Sequence, residues 1–118
     1  MRRLVAVLAL AATPALAQGP GWVAGETAEL QALDKVTARI STIEARVGQT
    51  VRFGTLEIAV AACHRRPADE QPDAAAWLTV KDNRLDGQRV FAGWMFAASP
   101  ALNMLEHAVY DLRVLECR

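Results

Sequence analysis

Val51-Arg52-Phe53-Gly54-Thr55-Leu56-Glu57-Ile58-Ala59-Val60-Ala61-Ala62 decides the fold. Val51 and Phe53 alternate with polar neighbours up to Gly54-Thr55, whose glycine-first order suits a type II′ hairpin turn. Leu56, Ile58, Val60 and Ala62 then continue the period of two, the mark of a half-buried strand. A hairpin at the centre of the chain predicts an antiparallel β protein.

Upstream, Gly48-Gln49 reads as a turn. From Asp34, Val36, Ala38 and Ile40 alternate with Thr37, Arg39 and Ser41 as a strand. The apolar phase then slips to Ile43, Ala45 and Val47, which predicts a bulge or bend at Ser41-Thr42. Residues 18–33 hold Gly19, Pro20, Gly21 and Gly25, so they read as a flexible N-terminal arm with Trp22 as its anchor. Within the arm, Glu26 to Leu33 favours one or two helical turns, too few to persist without a surface beneath them.

Downstream, Pro67, Asp69, Glu70, Pro72 and Asp73 mark an exposed loop from Arg65 to Ala74. The adjacent carboxylates Asp69 and Glu70 read as solvated charge; Arg65-Arg66 can bind an anion or an acidic partner surface, although solubility is the commoner role of such a pair. Trp77 to Val80 forms a short strand, and Lys81 to Gly87 a charged connection with an Asp86-Gly87 turn. Val90 to Phe96 is apolar on both faces. Ser99-Pro100 has the chemistry of a helix start, predicting a short helix near residues 100–105 before a last strand from Val109 to Cys117. The fold class expected is a small antiparallel β-sandwich or barrel with that one short helix, occupying 34–118.

The first residues point to export. Arg2 and Arg3 precede the apolar run Leu4 to Ala12, and Pro14 leads to the small-residue site Ala15-Leu16-Ala17. This is the pattern of a signal peptide over 1–17, cleaved after Ala17 and leaving a periplasmic protein. A run of about nine apolar residues is too short for a helix across a bilayer, which takes roughly 20, so no spanning segment is expected after cleavage.

Removing 17 of the 118 residues leaves 101, enough for one small core. Cleavage also removes two of the 13 basic residues, so 11 face 13 acidic ones, and this balance argues against nucleic acid as a partner.

In an oxidising compartment Cys63 and Cys117 are expected to pair, closing a loop of 54 residues. The competing arrangement is a zinc site of Cys63, His64, His107 and Cys117. It suffers because neighbouring residues of a strand point to opposite faces. No metal or cofactor is expected.

Ser99, His107 and Asp111 are the residue types of a nucleophilic triad, but no G-x-S-x-G elbow accompanies them and Ser99 suits a helix cap. The functional candidates are aromatic. Trp77, Phe91, Trp94, Met95 and Phe96 crowd into 20 residues. On a strand Trp94 and Phe96 point one way and Met95 the other, so one set can fill the core and the other meet a partner. The contact residues expected are Trp94, Met95, Phe96 and Trp22. The alternative is a periplasmic ligand- or carbohydrate-binding module, with a flat aromatic platform flanked by Asn103 or Asp82.

From about Leu33 to Cys117 the chain resembles a family of exported bacterial proteins catalogued as domain of unknown function 2155. The stretches that carry the resemblance are Leu33-Asp34-Lys35-Val36-Thr37-Ala38-Arg39, Val51-Arg52-Phe53-Gly54-Thr55-Leu56, Ala61-Ala62-Cys63-His64-Arg65-Arg66-Pro67 and Phe91-Ala92-Gly93-Trp94-Met95-Phe96-Ala97-Ala98-Ser99-Pro100-Ala101-Leu102-Asn103. His64 and Ala108 depart from its pattern, which has an aromatic after the first cysteine and a proline after Glu106-His107. The resemblance implies a non-enzymatic protein. It also implies an accessory role in the cell envelope with a protein partner, respiratory NADH:quinone oxidoreductase being the complex it points to.

Overall fold

The computed structural model describes residues 5, 6, 9 and 21–118. The export segment and its cleavage site, apart from residues 5, 6 and 9, lie outside them. The described strands are β1 (Val23–Ala24), β2 (Thr27–Asp34), β3 (Arg39–Arg46), β4 (Thr50–Phe53), β5 (Leu56–Arg65), β6 (Ala74–Asp82), β7 (Gln88–Phe96) and β8 (Tyr110–Cys117). They form two antiparallel sheets. One runs β1-β5-β6-β7, with β4 also on β5; the other runs β3-β2-β8. The all-β expectation therefore holds in its sandwich form.

Leu56, Ile58 and Val60 of β5, Leu78 and Val80 of β6, and Phe91 and Met95 of β7 face the core. From the other sheet come Ala28, Leu30 and Ala32 of β2, Ala45 of β3, and Leu112 and Val114 of β8. Among the described residues no helix is long and apolar enough to cross a membrane.

Three local expectations give way. The arm drawn over 18–33 contains β2, the middle strand of its sheet, paired residue by residue from Thr27 to Asp34 with β3 and again with β8. Alanine, leucine and glutamate favour a helix in isolation, but Ala28, Leu30 and Ala32 recur every second residue and bury completely between strands. Pairing on both edges overrides the local preference.

The strand expected from Asp34 begins only at Arg39. Asp34 Oδ1 accepts from the backbone N–H groups of Val36 and Thr37 at 2.9 and 3.1 Å, and Ala38 has φ +56°, so residues 35–38 turn. Val36 and Ala38 belong to this turn, and Ile40, 62% exposed, points outward from β3, which runs unbulged through Ser41-Thr42. The helix expected over 100–105 shrinks to one 3-10 turn, Pro100–Leu102, for which Ser99 makes no side-chain cap.

Two irregularities in pairing position the sulfurs. A register shift between Val60 and Ala62 turns Ala62 outward and Cys63 inward. A second shift, opposite Glu29 and Leu30, lets β8 bury Val114 and then Cys117. The cysteines form a disulfide with Cα atoms 5.8 Å apart, joining β5 to β8 across the two sheets. Gly25, where the chain passes from one sheet to the other, lies so close to Cys117 Sγ that a side chain would collide with it.

The opposite end is held by polar groups. Asp82, 2% exposed, takes His107 Nε2 on one oxygen at 2.7 Å; its other oxygen accepts from the Thr55 hydroxyl at 2.8 Å and the Arg84 N–H at 2.9 Å. The Tyr110 hydroxyl accepts from the Thr55 N–H at 3.2 Å. Buried polar groups cost little when each finds a partner, and here the network fastens the Gly54-Thr55 hairpin to the chain entering β8.

Candidate functional site

The outer face of the β1-β5-β6-β7 sheet carries the aromatic side chains that the core does not use. Pairing aligns His64, Ala75 and Phe96 in one row across β5, β6 and β7, and Ala62, Trp77 and Trp94 in the next. Alternation sends these residues away from the core. Trp77 meets Trp94 edge-on with centroids 5.8 Å apart, and His64 packs against Trp94 at 5.7 Å. Trp22 leans over Phe96 at 6.4 Å, and the Arg66 guanidinium stacks on its ring at 4.0 Å.

Small Ala75 between larger rings leaves a notch. Trp22, His64, Trp94 and Phe96 wall it, Ala75 is its floor, and its volume is about 340 Å³. All three tryptophans of the chain stand on this face. Its shape suits insertion of a side chain more than stacking of a sugar, because the rings meet at 47° to 81° and present no common plane.

Of the expected contact residues, Trp94, Phe96 and Trp22 come together here, and Met95 does not. It points into the core, 3% exposed, because it is the one of the three on the opposite phase of β7. Trp77, one of the crowded aromatics but not among the expected contact residues, joins the face, as do His64 and Arg66, which were not placed on it from sequence. The missing signal was cross-strand register, which brings Trp77 opposite Trp94. The groups named as flanks of a sugar platform are otherwise engaged: Asp82 is buried, and Asn103 donates to the Trp94 carbonyl at 3.0 Å.

The remaining candidates separate. His107 takes its carboxylate from Asp82, while Asp111 Oδ1 accepts from the Leu112 N–H at 3.0 Å. The Thr55 hydroxyl donates to Asp82 and not to the imidazole, and among the described residues the partners of the His107 ring are Asp82 and the N–H groups of Val109 and Tyr110, not a hydroxyl placed as a nucleophile would be on its base. Each cysteine is bonded to the other, and the two histidines stand apart, one against Trp94 and one against Asp82.

The bacterial family described as "Uncharacterized protein conserved in bacteria (DUF2155)" matches residues 28–117. The chain belongs to this family. The match begins in β2 and ends at the second cysteine of the disulfide, so it spans both sheets and most of the aromatic face, leaving Trp22 outside. An uncharacterized protein of Rickettsia prowazekii (strain Madrid E), RP359, is 27% identical over 88 residues. That alignment covers 73% of this chain and 57% of the relative. No solved structure matches the chain significantly.

Proposed function

We propose that this protein is an exported, non-catalytic accessory module of the bacterial envelope that binds a protein partner through the aromatic face. The observation that carries the reading is the gathering of Trp22, Trp77, Trp94 and Phe96 on the solvent side of one sheet. The core on the other side of that sheet is built from aliphatic residues with Met95, the disulfide, Phe91 and Tyr110, and uses none of the tryptophans. Tryptophan is enriched at the centres of protein interfaces, and here Trp77 is exposed while Trp22, Trp94 and Phe96 are half-buried, which leaves a contiguous aromatic surface for a partner to cover.

Export is supported by the charged and apolar pattern of residues 1–17, and the compartment it implies suits a disulfide. The respiratory NADH:quinone oxidoreductase implied by the family resemblance is the first partner to test.

The test is recovery of tagged protein from envelope membranes in mild detergent, with the bound proteins identified by mass spectrometry. Wild type should bring down a defined envelope complex, and Trp77→Ala with Trp94→Ala should lose it while remaining folded. Recovery of the wild type alone, or of the same complex by the double variant, defeats the reading.

A further inference from the structure

We infer that the segment seated in the Trp22–Trp94–Phe96 notch is an acidic stretch of a protein partner that inserts one apolar side chain between carboxylates; this rests on the reading of the face as a contact surface. The argument is charge complementarity. The walls and floor of the notch are Trp22, His64, Ala75, Trp94 and Phe96, with no carboxylate among them. Its polar atoms are the indole N–H groups and the His64 imidazole, and indoles donate but cannot accept.

Beside it the Arg66 guanidinium lies flat on Trp22, which fixes a cation at the mouth; its carboxylate neighbour, Glu70, stands 4.0 Å away. Stacking on an indole engages the face of a guanidinium, and its five N–H donors lie along the edge. An apolar group suits the interior of this site, and an anion suits the side of its rim that Arg66 occupies.

Because all three tryptophans stand on this face, their emission reports on it directly. The probes are three end-blocked pentapeptides: phenylalanine between two pairs of glutamates, the same peptide with glutamines, and the glutamate peptide with alanine at its centre. The glutamate–phenylalanine peptide should shift the emission with a Kd about fivefold below that of its glutamine isostere, the scale of one exposed ion pair. The alanine peptide should bind more weakly than either.

Arg66→Gln should abolish the preference for glutamate while still binding the glutamine peptide, which shows that the face is intact. Equal binding of the two phenylalanine peptides, persistence of the preference in Arg66→Gln, or no shift with any peptide overturns the inference. The first two leave the face as a contact surface, whose own test is loss of the envelope complex in the tryptophan variants.

Discussion

His107 Nε2 stands 2.7 Å from Asp82 Oδ2, and the opposite ring nitrogen of His107 accepts from the backbone N–H groups of Val109 and Tyr110 at 3.0 and 3.2 Å. An imidazole nitrogen that accepts carries no proton, so the ring proton is on Nε2 and is donated to the carboxylate. The His107 ring thereby links the last residue of β6 to Val109 and to Tyr110, the first residue of β8. Lys35 reinforces the junction by donating to the His107 carbonyl at 2.6 Å.

Asp82→Asn should destabilise the protein by about 2 kcal/mol, because an amide cannot accept from His107, Thr55 and Arg84 together. Urea unfolding at neutral pH measures it.

The same contacts set a pH dependence. The hydrogen bond from His107, followed by those from Arg84 and Thr55, holds the Asp82 carboxyl below its ordinary value of 3.8 against the opposing effect of burial. A carboxyl that is more acidic folded than unfolded gives stability that is complete above the unfolded value and declines as pH falls towards the folded one. The urea midpoint of wild type should therefore drop more steeply than that of Asp82→Asn below about pH 4. Parallel curves would remove Asp82 from the account.

Gly54→Ala should cost about 2–4 kcal/mol. Gly54 has φ +57°, and a methyl group there would run into the Tyr110 ring. Tyr110→Phe keeps the ring and loses only the bond from Thr55, so about 1 kcal/mol is expected. Thermal unfolding of the two variants should rank them in that order.

Leu30→Ala and Met95→Ala should each cost about 2–5 kcal/mol in denaturant unfolding, as buried large-to-small changes do. Trp77→Ala, at a residue 36% exposed, should cost far less and act instead on partner recovery. A harmless Leu30→Ala would restore residues 27–33 to the status of an arm.

The hairpin through Gly54 and the β8 phase of Tyr110, Leu112 and Val114 were legible because period two and turn chemistry agree there. At β2 they conflict. The alternation of Ala28, Leu30 and Ala32 was present but carried by residues that favour helices, and only pairing with β3 and β8 decides between them. Cys63 was harder still: Val60 predicts Ala62 inward, and nothing in the sequence marks the register shift between them. The aromatic face was legible as composition, through Trp94, Phe96 and Trp22. Its membership was not, because Met95 and Trp77 are sorted by strand phase and register.

Replacing both cysteines, Cys63→Ala with Cys117→Ala, should lower stability by roughly 4 kcal/mol, the chain-entropy figure for a 54-residue loop. Urea unfolding of the double variant against the oxidised wild type gives the number. A difference under about 1 kcal/mol would mean that the hydrophobic core and the Asp82 network carry the fold without the bridge.

The placement of Gly25 against Cys117 has a consequence for how long that bridge survives. With Cys63 and Cys117 only 2% and 4% exposed and the N-terminal segment lying over them, a thiol reagent has no approach to either sulfur. Reduction must wait until the two short hydrogen-bonded residues of β1, and the contacts of Glu26 and Thr27 with Arg118, let go. Fraying of that one corner then limits how fast the bond can be reduced, while the redox poise outside still decides whether reduction is favourable.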